Sequence, residues 1–141
     1  IIGIVALSIL WFIKLFRDNK SADQIWKDYL AVTLILFSMI HFHIQWLVWA
    51  APFAVILLIL NRKLIGPSIL LTILAFSIPV LYPDKFMSVS LLSGLSTMFN
   101  LLPMPYSVVS KIYDPNAMQS VLHSILAGGS LVFIWKMENQ S

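Results

Sequence analysis

Cysteine is absent from the 141-residue chain. That excludes disulfides and thiolate metal sites, and it leaves no sign of a redox compartment. Charge is scarce, at 11% of residues, where a soluble domain carries about 25%. Hydrophobic residues make up 60%, against the usual figure of about 45–50%. A core this small cannot bury that much apolar surface, so lipid must cover the excess. The period-two alternation of a membrane β-barrel is lacking, because the apolar runs are continuous. The net charge of +3 is not gathered into a patch. Basic residues sit at segment ends, as topology signals do, so nucleic acid is not an expected partner. No repeat period and no low-complexity segment interrupts the chain.

These features predict an all-α, polytopic helical membrane protein with the bilayer as its first partner. The expected layout is about five membrane segments plus an extracytoplasmic interfacial segment, in a single membrane-embedded region over 1–141. The spans fall at about 1–16, 29–42, 46–60, 64–82 and 117–135, with 86–113 interfacial. The chain begins at Ile1 inside an apolar run, with no initiator Met and no charged region before it. It reads as the end of a membrane helix from a longer parent, not as a signal peptide. Helices of that missing N-terminal part are then expected partners.

The central stretch is Tyr29 to Leu60, a single apolar run broken only by His41-Phe42-His43-Ile44-Gln45-Trp46. As one helix it would be about 48 Å long. The hydrocarbon core is about 30 Å thick, and hiding the excess would need a tilt of about 50°, beyond the usual range of about 0–40°. Lys14, Arg17, Lys20 and Lys27 precede the run, and Arg62 and Lys63 follow it. A single crossing would put these basic groups on opposite sides, against the positive-inside tendency. A hairpin turning at His41–Trp46 keeps both clusters cytoplasmic and places the polar turn at the outer face.

On either side the punctuation is clear. Ile1–Phe16 closes with Trp11, Phe12, Lys14 and Arg17. Arg17–Asp28 reads as a cytoplasmic connector in which Asp23 caps the next helix. Pro52 lies inside the returning helix, where membrane neighbours can re-satisfy the freed carbonyl. Gly66-Pro67 opens the next span, and Pro79 with Tyr82-Pro83 ends it. Phe86–Leu102 is apolar but interrupted by Ser88, Ser90, Ser93, Ser96, Thr97 and Asn100. It reads as one or two interfacial helices, which leave Lys136 inside; the alternative is a crossing, which would carry Lys111 inward and leave Lys136 outside. Pro103–Tyr106 and Tyr113–Asn116 form turns, with Asp114 or Asn116 as caps. Gly128-Gly129 in the last span allows close helix approach, without GxxxG spacing.

His41, His43, Gln45 and Trp46 are the candidate binding residues. On a helix His41 and Gln45 share a face; in an extended turn His41 and His43 do. Two imidazoles without a carboxylate or third ligand make no metal site, so none is expected. Imidazole and carboxamide groups at an outer surface hydrogen-bond phosphate or sugar hydroxyls, and Trp46 and Trp49 can stack on a sugar face. An ordinary interfacial turn with aromatics in the headgroup belt is the bland alternative. His123 is the titratable residue well inside a span. It suits a substrate contact, a relay or an interhelical hydrogen bond.

His43-Ile44-Gln45-Trp46-Leu47-Val48-Trp49-Ala50-Ala51-Pro52-Phe53 resembles the H-x-Q-[YW]-L-x-W-x-x-P-[FL] stretch late in many GT-C type membrane glycosyltransferases. Where that family often has proline between His and Gln, this chain has Ile44. The resemblance implies an enzyme that moves a sugar, such as mannose, from a polyprenyl-phosphate carrier to an extracytoplasmic acceptor. The lipid-linked sugar is then donor substrate, with no further cofactor expected. His41, His43 and Gln45 become binding residues for carrier phosphate or sugar. The family's acidic catalytic residue lies in an early outer loop, upstream of this chain, so neither Asp84 nor Asp114 takes that role. A transporter or permease fragment and a non-catalytic membrane scaffold subunit are the alternative readings. Against a transporter, the spans carry no Asp, Glu, Lys or Arg for a coupling ion.

Overall fold

The computed structural model describes residues 22–139, so the expected span at 1–16 lies outside the described residues. Those described are helical, with no strand among them. The α-helices are α1 (Ala22–Met39), α2 (Leu47–Leu60), α3 (Ile65–Val80), α4 (Pro105–Val109) and α5 (Pro115–Asn139). Short 3-10 turns at Ile44–Trp46 and Arg62–Leu64 lead into α2 and α3. α5 packs against both α1 and α3, and α1 packs against α2.

The chain does double back within the long apolar run. α1 stops at Met39, and His41–His43 leave the helical path. Phe42 explains the turn: its side chain is 1% exposed and stacks on Phe37 at 4.8 Å. Burying that ring pulls the backbone out of the helix, where its N–H would otherwise lack an acceptor. The Tyr82 hydroxyl supplies one, at 3.3 Å.

α1 starts earlier than expected. Ala22–Asp28, read from the sequence as connector, is its first part. Gln24 donates to Asp28 at 2.9 Å, one turn on, and to Glu138 of α5 at 3.2 Å. These bonds carry the helix through its polar start and tie it to the end of α5. Asn61 closes α2 as expected. Its N–H reaches the Leu57 carbonyl, and its side chain accepts the Lys63 N–H at 3.2 Å. The carboxylate of Asp114 accepts the Asn116 N–H at 2.9 Å, and Pro115 begins α5.

The expected count of five membrane segments is not supported. Arg62–Val80, with 19 residues, and Pro115–Asn139, with 25, are the described helices long and apolar enough to cross a bilayer. α2 is apolar but has only 14 residues, about 21 Å, short of the roughly 30 Å required. α1 has 18 residues but includes Asp23, Lys27 and Asp28.

The region between α3 and α5 contains no helix longer than six residues. It consists of 3-10 turns at Lys85–Met87, Val89–Gly94 and Thr97–Leu101, then α4. Its hydroxyls explain why no longer helix forms. Ser88 donates to the Asp84 carbonyl, and Ser96 caps the Met98 N–H at 3.3 Å. Such local side-chain bonds compete with helical ones. Phe86, Leu95, Leu101 and Ile112 project outward from this region, each more than three-quarters exposed.

Candidate functional site

At the turn end of the bundle, three chain segments meet. His41 follows α1, Tyr82 follows α3, and His123 lies near the start of α5. The His41 ring stacks on the Tyr82 ring, with centroids 4.9 Å apart and planes 26° apart. The His41 and His123 rings are 6.1 Å apart. Phe42 meets His123 edge-on at 6.4 Å. Tyr82 is 2% exposed, whereas His41 is exposed. The cluster therefore runs from the surface inward.

Hydrogen bonds set the chemistry of the inner members. His123 Nδ1 lies 3.3 Å from the Ser38 carbonyl oxygen. A carbonyl only accepts, so Nδ1 carries the proton, and a neutral His123 presents a lone pair at Nε2. That Nε2 is buried and has no partner. One turn earlier, Gln119 donates to the Leu81 carbonyl and fixes α5 against the end of α3. Ser38 also bonds the Leu34 carbonyl at 2.7 Å and lies 3.4 Å from the Ser130 hydroxyl. Burial pushes the Tyr82 phenol up from its ordinary value, and the Phe42 N–H on its oxygen offsets part of that rise.

The residues expected from the sequence divide into two groups. His41 joins the cluster. His43 does not: it precedes the Ile44–Trp46 turn, where its carbonyl accepts the Trp46 N–H at 2.9 Å. Its Nδ1 is buried without a partner. Gln45 is exposed. Trp46 is half-buried and stacks almost parallel on Trp49, at 5.6 Å and 3°. Trp49 is 57% exposed, so the pair presents an aromatic face beside Gln45.

Tyr82 was not among the expected site residues. Its position, between a helix with Pro79 in its last turn and a following Pro83, reads from sequence only as a stop. The signal available was an aromatic with a polar tip, held rigid at the end of an apolar helix. The meeting of His41 with His123 has no local signature. No group of three or more His, Asp or Glu side chains poised for a metal occurs among the described residues.

Comparison with known proteins returns no matching family model, no matching curated protein and no matching solved structure.

Proposed function

We propose that this chain is a membrane-embedded part of a glycosyltransferase of the GT-C type, which takes a sugar from a polyprenyl-phosphate carrier. The observation that carries this reading is the position of the His43–Phe53 stretch. Its polar residues occupy the turn between two packed helices, and its tryptophans form an exposed stacked face. In this reading the turn end faces the extracytoplasmic side, and the basic end, at Arg62 and Lys63, faces the cytoplasm. His43 and Gln45 bind the carrier's phosphate or sugar. His41 and His123 form a separate cluster at the same end of the bundle, and His123 Nε2 accepts a sugar hydroxyl. The acid or base of transfer must stand within hydrogen-bond reach of the acceptor hydroxyl and comes from upstream of this chain.

The test is sugar transfer by the full-length parent from a polyprenyl-phosphate donor, with His43→Ala and Gln45→Ala. Loss of a hydrogen bond to a charged group lowers transfer roughly ten- to a hundredfold. Expression and helicity stay unchanged. Wild-type transfer in both variants would leave the turn an ordinary interfacial one.

A further inference from the structure

A second site lies away from the histidine cluster. A cavity of about 270 Å³ separates α2 from α3, with α1 and α5 behind it. Leu30, Leu71 and Leu126 form its buried back, and Ala50, Ala54 and Ala75 leave the room. Its rim includes Val48 on α2 and Phe76 on α3, 67% and 46% exposed, so it opens sideways between two lipid-facing helices. An apolar cavity of about 150 Å³ already binds benzene, and at about 30 Å³ per water-sized group this one holds about nine methylenes. The lining on α3 runs from Ser68 to Phe76, about 12 Å along the axis, so the space is a slot.

Polar groups give the slot a direction. Thr72 donates its hydroxyl to the Ser68 carbonyl at 2.8 Å and is satisfied. Ser68 is not: it is 8% exposed, and its hydroxyl is buried without an acceptor. Ser68 lies near the start of α3, and the exposed Arg62 and Lys63 precede it on the same end of the bundle. A wall with hydrocarbon space, then one unpaired donor, then two cations, matches a glycerophospholipid from chain to ester to phosphate.

We infer that the α2–α3 slot binds one acyl chain of a glycerophospholipid from the leaflet at the basic end. The Ser68 hydroxyl donates to the ester carbonyl, and Arg62 and Lys63 meet the phosphate. The chain enters sideways from the bilayer, since no polar group lines the rim on α2. This site goes beyond the glycosyl-transfer reading and does not depend on it.

The test uses the full chain in phosphatidylcholine nanodiscs doped with phosphatidylglycerol that carries a diazirine in one acyl chain. Adducts are mapped by peptide mass spectrometry. The expected result is enrichment on slot residues such as Leu34 and Ala75 over the lipid-facing controls Ile59 and Ile69. Ala54→Phe fills the slot and lowers those adducts about tenfold, since burial of even a few methylenes exceeds that factor. Adducts on Ile59 and Ile69 stay unchanged. Should Ala54→Phe fail to fold by circular dichroism, Ala51→Leu at the rim gives the same readout. Arg62→Gln with Lys63→Gln lowers slot adducts from phosphatidylglycerol while sparing the controls. Labelling spread evenly over slot and controls, or unaltered by the filling variant, overturns the site. Preferential slot labelling by a diazirine prenol overturns the acyl assignment.

Discussion

The Phe42 N–H donates to the Tyr82 hydroxyl at 3.3 Å, joining the turn after α1 to the end of α3 across 40 residues. Both side chains are nearly fully buried. Tyr82→Phe keeps the ring and its stack on His41 but removes the acceptor. A buried N–H left without a partner costs about 1–3 kcal/mol. Thermal unfolding in detergent should show that loss, while Tyr106→Phe, at a more exposed phenol, should cost far less. Equal stability of Tyr82→Phe and wild type would mean the bond does not hold the turn.

The same phenol gives a pH dependence of known sign. Burial raises its pKa above the ordinary value of about 10. The folded state then holds the proton at pH values where the unfolded chain has released it. This contribution is fully present below the unfolded pKa and is lost as pH rises through the folded one. Wild type should therefore lose stability above about pH 10 more steeply than Tyr82→Phe. Unfolding midpoints of both proteins across that range provide the check.

These two residues also mark how far the sequence can be read. The hairpin follows from length alone, since Tyr29–Leu60 is too long for one crossing. The end of α2 follows from the charge of Arg62 and Lys63 that closes the apolar run, and the start of α5 from Asp114, whose carboxylate accepts the Asn116 N–H. What length and capping do not encode is which buried ring meets which. Phe42 and Tyr82, or His41 and His123, become neighbours only because α5 packs between α1 and α3. The segment count failed for a related reason. Apolarity marks where lipid or core can lie, but the number of helical residues before a break depends on local competitors. Phe42 ends α1, and Ser88 and Ser96 break up the region that follows α3.

His123 separates a structural role from a binding role. His123→Asn places an amide donor near the position of Nδ1 and removes Nε2. The bond to the Ser38 carbonyl survives, so unfolding should change by less than about 1 kcal/mol. If the glycosyl-transfer reading holds, sugar transfer should still fall, because the lone pair at Nε2 is gone. His123→Leu, which loses both, should be less stable by about 1–3 kcal/mol. Full transfer by His123→Asn would confine the residue to packing.

Gly128 and Gly129 should respond differently to alanine. A methyl at Gly128 meets nothing within 4 Å, whereas one at Gly129 comes 3.0 Å from Leu71 Cδ2. Each substitution gains up to about 1 kcal/mol in helix propensity. At Gly129 the Leu71 side chain must shift, and it borders the α2–α3 cavity, which gives it room. Gly128→Ala should stabilise, and Gly129→Ala should be close to neutral. Destabilisation of Gly129→Ala beyond about 2 kcal/mol would show that Leu71 cannot yield.

Orientation is open to a direct measurement, because the chain has no native cysteine. Gln45 lies exposed on the turn, and Lys63 is exposed at the opposite end of α2. If basic residues hold the latter end in the cytoplasm, Gln45→Cys reacts with an impermeant thiol reagent in intact cells. Lys63→Cys then reacts only after the membrane is opened. A single crossing by the 19 residues of Arg62–Val80 carries the chain back to the same side as the turn. Asn100→Cys, in the 3-10 region that follows, should therefore label with Gln45→Cys and not with Lys63→Cys. The reverse pattern would place the histidine cluster in the cytoplasm and remove the basis for an extracytoplasmic transfer site.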